Sequence, residues 1–149
     1  MKIAIATDHN GVEEKKEIIK LLTEYEFIDK SPINTDTDDY PDFAFEVANS
    51  VVKKEADLGV LLCGTGIGMS IAANKVKGIL CGHCSTVEQA HLTKEHNHAN
   101  IIALSYKQNI NELCEMIKEF IETKPSTSER HQRRINKIIN YENGAYNGL

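Results

Sequence analysis

Two spacings of apolar residues alternate along the chain. Short continuous apolar runs, such as residues 58–62, are typical of strands buried on both faces of a sheet. Between these runs lie longer segments in which apolar residues recur every three or four positions, a spacing that favours helices with one buried face. Strands that alternate with helices in this way predict an α/β fold with a mainly parallel sheet.

The pattern predicts five strands and six helices, without an internal repeat. The strands are expected at 2–7, 26–29, 58–62, 78–81 and 100–104. The helices are expected at 12–25, at 41–52, after Gly68 as far as residue 75, and at 86–94, 110–121 and 129–141. A chain of 149 residues fits one compact domain, so residues 1–149 are predicted to form a single domain.

The last predicted helix has a weak apolar stripe. Ile135, Ile138 and Ile139 are its main apolar residues. Because a short helix needs tertiary packing to be stable in water, this one must dock either on its own domain or on a partner subunit.

The composition narrows the class of protein. Hydrophobic residues make up 41% of the chain and charged residues 26%, which are ordinary values for a globular protein. A net charge of −5 argues against binding of nucleic acid, although a local basic patch remains open. We expect neither a signal peptide nor a membrane span. Four cysteines in apolar segments predict a reduced, cytoplasmic protein.

Three glycines directly follow the most apolar strand. Gly64, Gly66 and Gly68 let the backbone approach a ligand closely, and a turn that opens a helix directs several N–H groups at one anion. The segment lacks the Lys-Ser or Lys-Thr pair of a Walker loop and the spacing of a dinucleotide-binding fingerprint. The glycines alone are equally compatible with a simple tight turn.

Cys63 lies at the end of this strand, just before the helix. That position favours a thiolate, although a small buried apolar residue is the commoner role of a cysteine. A phosphatase loop would need an arginine where Met69 stands. A thiolate beside an anion-binding turn can instead remove a proton next to a carbonyl while N–H groups hold the enediolate oxygen.

Two short polar motifs flank other strands. Asp8 and His9 follow the first strand, and Asp8 either hydrogen-bonds a sugar hydroxyl or caps the next helix. His96 and Asn97 precede the last strand, so they reach the carboxyl edge of the sheet only through a folded loop or a neighbouring subunit. His96 is a candidate general acid for opening a sugar ring, or simply a histidine on a surface loop.

Arg130 and Arg134 are four residues apart and so share one face of the last helix. Paired guanidinium groups suit the binding of a phosphate. With Arg133 and Lys137 nearby, a solvated charged face is the alternative interpretation.

The segment 81–84, Cys-Gly-His-Cys, reproduces the dithiol sequence of disulfide isomerases. A redox site needs the first cysteine exposed at the start of a helix, whereas Cys81 is predicted to lie in a strand. A single pair of cysteines with one histidine is also weak support for zinc. The role of this segment stays open.

Taken together, the motifs resemble one family, ribose-5-phosphate isomerase type B with its relatives, the galactose-6-phosphate isomerase subunits. The resemblance runs nearly end to end, and the Cys-Gly-Thr-Gly block is its most specific part. It rests on Ile3-Ala4-Ile5 with Asp8-His9 and Gly11, on Asp39-Tyr40-Pro41, on the block from Leu62 to Lys75, on His96-Asn97 with Asn100, and on Arg130-His131-Gln132 with Arg134.

The resemblance implies a Rossmann-like, three-layer α/β/α sandwich with a five-stranded parallel sheet and an extra C-terminal helix. It also implies a homodimer or a dimer of dimers whose active sites are shared between subunits, which would bring His96 to the site. No metal and no other cofactor is implied.

The resemblance further implies roles for particular residues. Cys63 would move a proton between C1 and C2, and His96 would donate a proton during ring opening together with Asp8; Thr65 is counted among the catalytic residues. Lys107 stands where the family usually has an arginine and keeps the charge without the bidentate fork. The expected substrate contacts are Asp8, His9, Tyr40, Gly64, Thr65, Gly66, Ile67, Gly68, Asn97, Lys107, Arg130 and Arg134.

We therefore expect an isomerase that interconverts ribose 5-phosphate and ribulose 5-phosphate through a cis-enediolate. One alternative is a six-carbon substrate, galactose 6-phosphate or allose 6-phosphate. A second alternative, from another class, is a non-catalytic module that binds a phosphate or a nucleotide.

Overall fold

A computed structural model describes the whole chain, from Met1 to Leu149. Its centre is a five-stranded sheet in which every neighbouring pair is parallel, as predicted. The strand order is β2-β1-β3-β5-β4. The strands are β1 (Lys2–Thr7), β2 (Glu26–Asp29), β3 (Leu58–Cys63), β4 (Cys81–His83) and β5 (Ile101–Ser105).

Helices cover both faces of the sheet and complete the expected three-layer sandwich. One core cluster joins buried side chains of α1, α4 and α5 to the sheet, and the other joins those of α2 and α3. The helices are α1 (Val12–Leu21), α2 (Tyr40–Val52), α3 (Ile67–Asn74), α4 (Val87–Glu95), α5 (Ile110–Glu122) and α6 (Glu129–Glu142). None of the six combines the length and apolar character needed to cross a lipid bilayer.

The central strand β3 shows why the sequence folds this way. All six of its residues are buried, because it lies between β1 and β5 with helices on both sides. Val60 and Leu62 belong to one core cluster, while Leu61 and Cys63 belong to the other. This is the two-residue alternation of a strand with two buried faces.

The predicted bounds of the fourth strand, 78–81, were wrong, because the strand runs from Cys81 to His83. Gly78 has a φ of 92°, and the side chain of Asn100 donates to the carbonyl of Gly78 and accepts from the N–H of Leu80, both at 2.9 Å. These contacts hold the segment in a turn before the strand. Pairing with β5 begins only at Cys81.

The predicted first helix, 12–25, was too long. The helix ends at Leu21 because the chain turns at Leu22, which is buried in the core with a ψ of 60°. Tyr25 no longer belongs to the helix, and its hydroxyl donates to Glu122 at 2.8 Å. The third helix begins at Ile67, two residues earlier than predicted, and the remaining predicted boundaries lie within one residue of those observed.

The sheet topology creates a crevice at one edge. From β1 the chain continues to β2 on one side, whereas β3 lies on the other side. In parallel sheets of this kind, ligands bind beyond the carboxyl ends of the strands at such a reversal. The ends of β1 and β3 carry Asp8 and the glycine turn, respectively.

Candidate active site

The carboxyl edge of the sheet gathers several of the predicted site residues. Thr7 and Leu62 are in register, so the segments that follow them, which start with Asp8 and Cys63, lie side by side. Ser105 at the end of β5 is in register with Cys63 on its other side. Lys107, two residues further on, is exposed at the same edge.

The thiol of Cys63 faces the glycine turn although the residue is only 5% exposed. Its Sγ accepts a hydrogen bond from the N–H of Gly66 at 3.1 Å. A main-chain donor this close stabilises negative charge on sulfur. Cys63 is therefore buried in the core, as a packing residue would be, and its sulfur also faces the turn, as the chemical role would require.

The glycine turn has a shape that only glycine fits at two positions. Gly66 has a φ of 82°, and a Cβ there would lie 3.0 Å from the carbonyl carbon of Leu104. A Cβ on Gly68 would lie 2.6 Å from the ring of Tyr40, which packs directly on the turn. Thr65 Oγ1 accepts from the N–H of Ile67 at 3.1 Å, so its own hydroxyl hydrogen remains able to donate.

Asp8 does not cap α1, whose N-cap residue is Gly11. Its Oδ1 accepts from the N–H of Asn10 at 2.9 Å, which holds the carboxylate in the turn after β1. This geometry leaves Asp8 as a polar group at the crevice rather than as a helix cap.

His9 is held by Asp38, a residue that the sequence analysis did not single out. The imidazole Nδ1 lies 2.7 Å from Asp38 Oδ1, and the N–H of His9 donates to the same oxygen at 3.1 Å. Asn34 and Thr35 donate to Oδ2 at 2.9 and 3.1 Å. Asp38 lies in the polar segment between β2 and α2.

These contacts change how both groups titrate. The hydrogen bond that His9 donates to Asp38 raises the pKa of His9 above its ordinary value, and partial burial opposes this only in part. Burial alone would raise the pKa of Asp38, but hydrogen bonds from Asn34 and His9 lower it overall. His9 is thus kept positive to a higher pH than a free histidine, which suits the binding of a phosphate.

Tyr106 is a second residue that the sequence did not indicate. A Cβ on Gly11 would lie 2.9 Å from its ring, and one on Gly64 would lie 3.6 Å from its hydroxyl. Burial raises the pKa of Tyr106, and the negative charge of Asp8 adds to this. The phenol is therefore a neutral hydrogen-bond donor at the crevice near pH 7.

A second group of predicted site residues lies at the opposite edge of the sheet. His96 follows α4 and precedes β5; its ring stacks on His131 at 4.3 Å, and its Nε2 lies 3.2 Å from Glu95. Asn97 is exposed beside it. β5 alone spans about 13 Å from its first to its last residue at the usual rise per residue. One chain therefore does not bring His96 and Asn97 to Cys63.

Arg130 and Arg134 belong to this second group. Both are exposed on α6, and neither makes an ion pair within the chain, whereas Arg133 pairs with Glu129. Burial lowers the pKa of His131, and the nearby His96, Arg130 and Arg134 lower it further. Arg130 and Arg134 thus form a pair of guanidinium groups that can bind an anion.

The Cys-Gly-His-Cys segment is not built as a redox site. Cys81 packs against the core cluster on the α2–α3 side of the sheet, while Cys84 belongs to the cluster on the other side. Burial raises the pKa of Cys81 to about 12 and that of Cys84 to about 11, so both remain thiols at neutral pH. All four cysteines are free, and no cluster of three or more His, Cys, Asp or Glu side chains has the arrangement to hold a metal ion.

Comparison with known proteins gives a clear result. The family described as Ribose/Galactose Isomerase matches residues 3–138. The chain belongs to this family. The Bacillus subtilis protein YwlF is 47% identical to this isomerase-family chain over 95% of the chain and 97% of its own length. Ribose-5-phosphate isomerase B of Escherichia coli is 40% identical over 95% and 96%, respectively.

Solved structures of the family share the fold. Ribose-5-phosphate isomerase B of Clostridium thermocellum has a TM-score of 0.90 at 38% identity, covering 97% of this chain and 99% of its own. The enzyme of Mycoplasma genitalium, solved with bound ribulose 5-phosphate, has a TM-score of 0.89 at 41% identity, covering 95% and 96%. The fold implied by the resemblance is confirmed for this member of the ribose/galactose isomerases.

Proposed function

We propose that this chain interconverts ribose 5-phosphate and ribulose 5-phosphate through a cis-enediolate. The observation that carries the proposal is the thiol of Cys63, which faces the main-chain N–H groups of the glycine turn and accepts from Gly66. The chain belongs to the isomerase family, which supports this function. The ribulose 5-phosphate bound by the relative from Mycoplasma genitalium supports it as well.

The geometry suggests how the proton moves. The thiolate of Cys63 removes the proton from C2 of the open-chain aldose, the hydroxyl proton of O2 passes to O1, and the Cys63 thiol then protonates C1, which leaves a hydroxyl at C1 and a ketone at C2. Negative charge develops on the C1 oxygen in between. We assign the N–H groups from Gly64 to Gly68 and the hydroxyl of Thr65 to hold that oxygen as hydrogen-bond donors.

Ring opening and binding fall to the other predicted residues. Opening the ring requires a proton delivered to the ring oxygen and another removed from the anomeric hydroxyl, and we assign these steps to His96 and Asp8. His9 and Lys107 supply positive charge at one edge, and Arg130 and Arg134 supply it at the other, for the phosphate. Tyr40 and Asn97 are assigned contacts to the sugar.

Two copies are needed to build one site. Cys63 and His96 lie at opposite edges of the sheet, so we propose a homodimer or a dimer of dimers in which each site takes one group from each subunit. Exposed apolar side chains support this assembly. They are Tyr40, Phe45, Ile67 and Ile71 on the α2–α3 side, and Ile138 and Ile139 on α6.

We further propose that residues 1–149 form one isomerase domain that works in the cytoplasm. The single continuous sheet supports the first point. The four free cysteines support a reducing compartment.

Replacement of the proposed base is the direct test. Cys63→Ala should fold with a circular-dichroism spectrum like that of the wild type and lose about 100-fold or more of its turnover of ribose 5-phosphate. Cys114→Ala, which removes a thiol on α5, is the matched control and should keep its turnover. If Cys63→Ala retains a tenth of the wild-type rate, Cys63 is not the base.

Two measurements separate this function from the alternatives. Incubation with substrate in deuterated water should place deuterium at C2 of ribose 5-phosphate. A module that only binds phosphate would incorporate none. Turnover on galactose 6-phosphate and allose 6-phosphate should be far slower than on ribose 5-phosphate. Faster turnover on a six-carbon substrate would reassign the substrate but not the chemistry.

A further inference from the structure

The unassigned histidine of the Cys-Gly-His-Cys segment touches the glycine turn. His83 Nε2 lies 2.8 Å from the carbonyl oxygen of Thr65. Because a carbonyl oxygen only accepts, Nε2 must carry a hydrogen and donate it. The ring also lies against the next residue, since a Cβ on Gly66 would be 2.9 Å from His83 Cδ2.

The position of His83 is fixed by the strand that carries it. Cys81, two residues earlier and on the same face of β4, is tied to α3 through the side chain of Asn74. The Asn74 amide donates to the carbonyl of Cys81 at 2.9 Å and accepts from its N–H at 2.8 Å. The backbone of β4 therefore holds the imidazole against the turn.

The two hydrogen bonds around the turn share a single peptide group. The carbonyl of Thr65 and the N–H of Gly66 belong to the same planar amide. His83 donates to one end of this amide, and the other end donates to Cys63 Sγ at 3.1 Å. A donor at the carbonyl polarises the amide and strengthens the bond that its N–H makes, by about 10–30% in condensed-phase estimates.

We propose that His83 is a positioning residue that acts on the sulfur of Cys63 through the Thr65–Gly66 peptide group, favouring the thiolate and fixing the N–H that faces it. The inference rests on the proposed function for its catalytic meaning. The coupling between His83 and the thiol is a physical property that can be measured without any sugar phosphate.

Three variants of His83 separate donation from packing. His83→Gln keeps an amide N–H near the position of Nε2. His83→Asn keeps the same chemistry but is one methylene too short to reach Thr65. His83→Leu removes the donor. The readout is the alkylation of Cys63 by iodoacetamide as a function of pH, measured on the Cys63 peptide by mass spectrometry, because the chain has four cysteines.

For the Leu and Asn variants, we expect the pH midpoint of Cys63 alkylation to move up by about half a unit, which is about a threefold slower reaction below the midpoint. The plateau rate at high pH should not change, because the variants do not alter the access of iodoacetamide to the sulfur. His83→Gln should stay within about twofold of the wild type, and kcat should follow the alkylation at neutral pH with little change in KM.

Other outcomes would overturn the inference. A midpoint that stays in place in both the Asn and Leu variants would show that His83 does not act on the thiol, and so would a Gln variant as impaired as the Asn variant. If His83→Leu is unstable, the comparison of His83→Gln with His83→Asn still tests the inference. A wild-type protein without isomerase turnover would reject the proposed function instead, while the alkylation profiles would still test His83.

Discussion

The imidazole of His9 depends on a carboxylate 29 residues further along the chain. Asp38 binds both the ring and the backbone N–H of His9, and Asn34 and Thr35 hold the carboxylate from behind. One side chain thus fixes where the histidine points and raises its pKa. On the proposed function, the substrate phosphate would meet an imidazole that is already oriented, which lowers the entropic cost of binding.

We expect Asp38→Asn to weaken binding of the sugar phosphate. The neutral amide can no longer hold the imidazolium, so the pKa of His9 should fall back towards its ordinary 6.5. KM should rise by about tenfold near pH 7.5, the loss of roughly one charge-assisted hydrogen bond. KM measured from pH 6 to 9 checks this, with Asp42→Asn as the control because Asp42 is exposed and does not bond His9. Equal effects of the two variants would contradict the assignment.

Thermal unfolding of Asp38→Asn gives an independent check through the same pair. A raised pKa in His9 contributes stability that is complete below 6.5 and is lost as pH rises through the folded value. A lowered pKa in Asp38 contributes stability that is complete above 3.8 and is lost as pH falls through the folded value. The difference in Tm between wild type and variant should therefore be greatest between about pH 4 and 6.5.

The residues that the sequence indicated differ in kind from those it did not. Cys63 and Asp8 could be predicted from the sequence because residues that follow a strand lie at the ligand-binding edge in any parallel sheet. Asp38, Tyr106 and His83 reach the crevice through contacts made only when distant segments pack; His83 and Thr65, for example, are 18 residues apart. No local pattern of apolar and polar residues carries that information.

At the scale of elements, the β3–turn–α3 unit carries the proposed chemistry. The buried strand fixes the sulfur, and the left-handed Gly66 turns its N–H back towards it. Helix and strand types followed from the apolar spacing. The start of β4 did not, because the side chain of Asn100 satisfies backbone groups that would otherwise join the sheet.

We expect Gly66→Ala to destabilise the fold and to impair catalysis together. A left-handed conformation costs a residue with a Cβ about 1–2 kcal/mol. The Cβ would also lie 3.0 and 3.1 Å from backbone atoms of Leu104 and Ala103, which cannot move without disturbing β5. Turnover should fall by at least about tenfold, since the N–H that faces the thiol would shift.

The matched control is Gly144→Ala. Gly144 has a similar φ of 75°, but a Cβ there would meet no atom within 4 Å. It carries the conformational cost without the contact, so its turnover should match that of the wild type and its Tm should fall by less than that of Gly66→Ala. Similar losses of Tm in both variants would show that backbone strain alone accounts for the effect at Gly66.

At the scale of the whole molecule, the site residues divide into two groups at opposite edges of one sheet. Cys63, Asp8 and His9 lie at the carboxyl edge, while His96 and Arg130 lie at the other. The sequence indicated that His96 would need a folded loop or a second subunit, and the fold removes the first of these options. Which chain supplies each group depends on packing between copies, which a single sequence does not describe.

A mixture of two inactive variants tests the shared site. Cys63→Ala and His96→Ala should each lack turnover alone. Refolded together at equal amounts, half of the dimers contain one of each chain, and each of these has one intact site. About a quarter of the wild-type turnover should return.

The control for this mixture uses two residues from the same group. His96→Ala mixed with Arg130→Ala should regain nothing beyond the activity of the separate variants, because no arrangement of these chains restores a complete site. Recovery in this mixture, or none in the first, would contradict the proposed division.

Because α6 buries few side chains against its own chain, the activity of the enzyme should depend on its concentration. The helix buries only His131 and Ile135 against its own chain, yet it carries both arginines assigned to the phosphate. In the proposed dimer, a single subunit has Cys63 at the carboxyl edge of its own sheet, but the two arginines that complete that site come from the other subunit. It stays inert until it meets a second copy, so specific activity should fall on dilution before any secondary structure is lost.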